Sequence, residues 1–128
     1  MKLKVIFIIA TIYMALIGIG HLVAPVALSA GVVPEDASPG LVAFLRHYSA
    51  LFIGIAVMDW MARNAEASGA RDAIVLANMI AFGLAAVLDV LAVVSGAGAA
   101  GLVPAGLNLA IAAAFFWAGR TSMAAKTS

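Results

Sequence analysis

The sequence predicts an all-α integral membrane protein, a four-helix bundle with both termini cytoplasmic, and three observations predict it. Of its 128 residues 66% are hydrophobic and only 10% are charged, whereas a soluble domain carries roughly 25% charged residues. So few charges cannot cover a water-soluble fold, and the apolar excess must face lipid. Second, four stretches are long and apolar enough to cross a hydrocarbon core about 30 Å thick, which takes about 20 residues at about 1.5 Å each. Third, Lys and Arg alternate between the connections, as the positive-inside rule requires.

The first segment runs from about Val5 to Leu28, with His21 its only ionisable residue and Pro25 marking its outer end or a kink. The second spans about Leu41 to Ala62, the third about 73–95, and the fourth Leu102 to Gly119. Helices are the expected form, since isolated strands would leave backbone groups unpaired in hydrocarbon. Short connections leave a single four-helix domain over 1–128: Ser29 to Gly40, Arg63 to Arg71, and GAGAAG at Gly96 to Gly101. Lys2, Lys4, Arg63, Arg71, Arg120 and Lys126 flank the termini and the middle connection, while the other two connections hold no Lys or Arg. That pattern places both termini and the middle connection in the cytoplasm.

A cleavable signal peptide is the rival for the first segment, given Lys2, Lys4 and the run Ala27-Leu28-Ser29-Ala30. The apolar run exceeds the usual core of about 7–15 residues, which favours a spanning helix. No internal repeat stands out. Small residues four apart, such as Ala50 with Gly54, would allow close helix packing, a spacing that so Ala-rich a chain produces by chance.

Ionisable residues inside lipid cost roughly 2.5–3.5 kcal/mol each, so each needs a partner or a role. With alternating helix direction, His21, Arg46, His47, Asp89 and Asn108 all fall within about 10 Å of the outer surface. If this layer faces the interior, Arg46 and Asp89 are natural partners in an outward-open polar pocket. The competing structural reading has Arg46 snorkelling outward, His21 at headgroup level and Asp89 fixing helix packing through one pair. Secondary polar positions are Tyr48, Asp59 and Asn78. Asn78 and Asp89, 11 residues apart, share a helix face; Tyr48 and Asp59 do likewise, with Arg46 on nearly the opposite side. Asp59 beside Trp60 reads as an interfacial pair near the cytoplasmic end.

No residue is assigned to catalysis or to a metal, and no cofactor is implied. Two histidines at similar depth permit a bis-histidine haem, and His21, His47 and Asp89 permit a metal, but no flanking pattern supports either. The absence of cysteine removes disulfides and thiolate sites. Basic residues sit at segment ends without interleaved aromatics, so nucleic acid is not an expected partner.

The runs GIGHLVAP at Gly18 to Pro25 and FLRHYSALFIGIAVMDWMAR at Phe44 to Arg63 resemble the DoxX-like group of small four-helix bacterial membrane proteins. The resemblance covers about the first half of the chain. It implies a four-helix bundle in the bacterial inner membrane, with some members acting as membrane partners of oxidoreductases, and it weakly marks His21 and Arg46.

The leading functional expectation is binding or carrying of an amphipathic small molecule, such as a lipid or quinone, in the outer polar layer. The alternative is a non-catalytic accessory or structural subunit that binds a membrane protein partner or a second copy. An acid–base enzyme using a histidine with Asp89 is not required by any motif. A small proton-coupled exporter matches the length, yet the acidic residue expected deep in its first helix is missing here.

Overall fold

A computed structural model of the chain describes residues 2–124. Among them are five α-helices: α1 (Leu3–Val23), α2 (Pro25–Leu28), α3 (Pro39–Ala62), α4 (Gly69–Val94) and α5 (Leu102–Ala124). Four of these are long and apolar enough to cross a membrane, and the protein is a multi-pass helical membrane bundle. Lys126 lies outside the described residues.

The helix ends differ from the sequence boundaries for local reasons. The first apolar segment breaks at Ala24, whose backbone (φ −139°, ψ 64°) leaves the helical region, because proline disfavours that region in the residue before it. Helix α2 then starts on Pro25, where a missing N–H costs nothing. Helix α3 starts at Pro39 behind Ser38, whose hydroxyl accepts from Leu41 N at 3.3 Å. Helix α4 starts at Gly69, four residues earlier than expected, because Ser68 caps Arg71 N at 3.2 Å and Asp72 lies in the first turn, where the helix dipole favours a carboxylate.

Helix α1 packs along α3 and α4 along α5; α1 also meets α5, and α3 and α4 touch least. At the α1–α3 seam a Cβ on buried Gly18 would lie 2.7 Å from Ile53 Cγ1 and 3.1 Å from its backbone nitrogen, so only glycine admits this approach. A Cβ on Gly54 would meet nothing within 4 Å, so the Ala50–Gly54 spacing brings no neighbouring helix against Gly54. The core is aromatic: Phe7, Phe82 and Phe115 are fully buried, with Phe7 edge-on to Phe115 at 5.3 Å and Phe82 stacked on it at 6.2 Å. Thus α1, α4 and α5 supply the bulk, and α3 supplies small or polar groups, Ser49, Ala56, Asp59 and Ala62.

The two ends of the bundle differ in charge. One carries Lys2, Lys4, Arg63, Arg71 and Arg120 and is here called the basic end. At the other, Gly31 (φ +82°) and Gly98 (φ +88°) bring two connections together, and a Cβ on Gly98 would lie 2.7 Å from Gly31 O. The acidic Glu35 and Asp36 belong to the first of those connections.

Candidate polar site

Two carboxylate–amide pairs sit at the heart of the polar set. Asn78 Nδ2 on α4 donates to Asp59 Oδ1 on α3 at 2.7 Å and also to Ile74 O at 3.1 Å. Asn108 Nδ2 on α5 donates to Asp89 Oδ2 on α4 at 2.9 Å. Asp59 and Asn78 are 0% and 2% exposed, and Asn108 is 7% exposed; Asp89 is half-buried. Asp59 Oδ2 has no hydrogen-bond partner among the described residues, nor has the buried Thr11 hydroxyl on α1.

The buried position of Asp59 corrects its reading as half of an interfacial pair. Although it lies only three residues before the end of α3, it points inward to Asn78, while Trp60 alone faces outward. Asn78 and Asp89 do share the inward side of α4, but they serve different neighbours, α3 and α5. Tyr48 is exposed where Asp59 is buried, so the shared helix face expected for them does not give them a shared environment.

Of the outer layer, the structure bonds Asp89 to Asn108. His21 is held locally: a carbonyl can only accept, so Nδ1–H donates to Ile17 O at 3.0 Å, which leaves Nε2 to accept from the Ser29 hydroxyl at 3.3 Å. Its ring lies 5.7 Å from that of Phe52 on α3. The α2 turn sets this up, because the break at Ala24 folds Leu28 back against Gly20 and brings Ser29 over His21. Arg46 and His47 are exposed on α3. No salt bridge joins Arg46 to Asp89 among the described residues; Asp89 takes its bond from Asn108 instead. No three His, Cys, Asp or Glu side chains gather into a metal-binding group among the described residues.

Sequence reasoning missed three polar residues. Ser49 is 2% exposed and donates to Arg46 O, which satisfies its hydroxyl within its own helix. Thr11 and Tyr13 place hydroxyls on α1, and the Tyr13 ring lies 6.1 Å from that of Phe82. Neither signals itself in the sequence, since uncharged hydroxyl residues are ordinary in spanning helices.

Beyond these pairs, Tyr48 stands between Phe44 (5.0 Å) and Phe52 (6.1 Å) in an aromatic row along α3. This helix is the least covered of the four: 11% of its most apolar stretch is buried within the bundle, against 22–28% for the others. The arrangement therefore joins helices through its inward polar groups, Asp59 of α3 among them, and leaves Arg46, His47 and Tyr48 of α3 exposed. No family model matches the chain, and no curated protein or solved structure is found to be similar to it.

Proposed function

We propose that the protein is a non-catalytic accessory subunit of the bacterial inner membrane that works by lateral association through α3. The observation that carries this reading is the exposure of His47 together with Arg46 on the least covered helix. His47 lies eight residues from Pro39, about 12 Å along the helix. Arg46 has a stem long enough to reach the headgroups, but an imidazole does not, so His47 calls for a polar partner in lipid. The partner is a second copy or another membrane protein, and the resemblance to the DoxX-like group, some of whose members partner oxidoreductases, favours the second. The basic end then faces the cytoplasm.

A second reading keeps the amphipathic ligand and draws on the half-buried Asp89, with Asn108 bonded to it. Native electrophoresis of protein extracted from its own membranes distinguishes the two. The R46A/H47A variant is expected to lose the higher assembly while keeping its folded yield. An assembly that survives this change, with a small molecule lost in D89N, overturns the association reading in favour of the ligand.

A further inference from the structure

We propose that the basic end holds an anionic phospholipid, its phosphate between Lys4, Arg63 and Arg71 and one acyl chain in the neighbouring apolar groove. The cations come from three separate places, the start of α1, the end of α3 and the first turn of α4, and they line one cleft of about 250 Å³ floored by Leu3 and Phe7. Helix packing brings them together despite mutual repulsion, which an anion relieves.

Each guanidinium is held in place. Arg63 stacks over the Trp60 ring at 3.5 Å and donates to Trp60 O. Arg71 donates to Ala65 O at 3.4 Å and lies 3.9 Å from the Asp72 carboxylate. That carboxylate offsets one of the three positive charges. Pre-positioned guanidinium groups suit phosphate, which they bind through paired N–H donors.

The second half of the argument is apolar. A groove of about 510 Å³ runs along the outer side of α3 and α4, lined by Gly54, Val57, Met61 and Ile74, and it meets the cleft at Ala62 and Ala65. From Gly54 to Met61 it extends about 10 Å along the helix axis. Its wide section exists because Gly54 has no side chain and no neighbour within 4 Å. A charged head site that shares Ala62 and Ala65 with the lining of a hydrocarbon trough matches a phospholipid rather than a free anion, and basic sites at membrane level commonly take anionic headgroups.

The test is native mass spectrometry of the full chain in mild detergent, doped with either phosphatidylglycerol or phosphatidylcholine of the same chains. Phosphatidylglycerol should be retained in preference, with retention falling about fivefold in K4Q and about twenty-fivefold in K4Q/R63Q, since each interfacial cation contributes similarly. Gly54→Leu, which adds no charge and has room for its side chain, should weaken retention by filling the trough. Millimolar inorganic phosphate should not displace the lipid. Equal retention of both lipids, unchanged retention in K4Q/R63Q or in Gly54→Leu, or displacement by inorganic phosphate each overturns the proposal. Lys4 and Arg63 lie at the opposite end of the bundle from Arg46 and His47, so K4Q and K4Q/R63Q test the lipid without altering the residues of the association test.

Discussion

The pairs Asp59–Asn78 and Asp89–Asn108 use the same two residue types, the same carboxylate–amide bond and the same separation of 19 residues, yet they do different jobs. The second lies within α4 and α5, which already pack along their lengths, and its carboxylate is half-buried. The first crosses the seam between α3 and α4, where the helices touch least, and both its partners are buried. Lipid gives helices no hydrophobic reason to associate, so packing and interhelical hydrogen bonds hold them. Where packing is thin, the hydrogen bond carries more of the load. The comparison teaches that a polar pair in this bundle has its value set by the seam it crosses and not by its chemistry.

Breaking the buried pair is expected to have the largest effect. Asp59→Ala strands one Asn78 N–H in a fully buried site, and the reversible unfolding free energy in detergent should fall by about 3 kcal/mol, the upper end for an unsatisfied buried group. D59L/N78L removes both partners and should recover most of that loss, because replacing both ends of a buried bond by apolar groups is nearly neutral. If the double variant is as unstable as the single one, the seam depends on more than this bond.

Next in size is a change that touches packing alone. Gly18→Val forces side-chain atoms into Ile53 and its backbone, and overpacking of this kind should cost about 2 kcal/mol in the same unfolding measurement. The α1–α3 seam has no interhelical hydrogen bond of its own among the described residues apart from loop and ring contacts, so this variant measures what close approach contributes where no polar pair assists. A neutral outcome would show that α3 shifts freely along α1.

The smallest effect belongs to Asn108→Ala. Asp89 is partly exposed and its helices are packed without help, so the loss should be about 0.6 kcal/mol, an average value for interhelical hydrogen bonds in lipid. A loss equal to that of Asp59→Ala would erase the distinction between the two seams. Together with the association and lipid experiments above, these measurements separate folding roles from binding roles residue by residue.

Much of the architecture is legible in the sequence, for reasons that individual residues illustrate. The four spans follow from run length, since each apolar stretch has to be long enough to cross lipid, and the GAGAAG run and the Arg63–Arg71 stretch interrupt them plainly. Asp59, Asn78, Asp89 and Asn108 stood out as polar residues in apolar runs. Their pairing did not, because opposite charge and similar depth made Arg46 look like the partner of Asp89, whereas helix rotation points Arg46 away and turns Asn108 in. Gly18 and Gly54 look alike as letters in a Gly-rich chain, and only one of them meets a neighbouring backbone.

The sequence by itself determined the solvent, the secondary structure and the number of crossings, because hydrocarbon penalises every unpaired backbone group and every charge, and those penalties are read along the chain. The tertiary structure alone decided which polar groups meet, which glycine a helix leans on and which face of α3 is left uncovered. These depend on helix rotation and order around the bundle, and an apolar surface that faces lipid on one side and other helices on the other carries little periodic signal to reveal either.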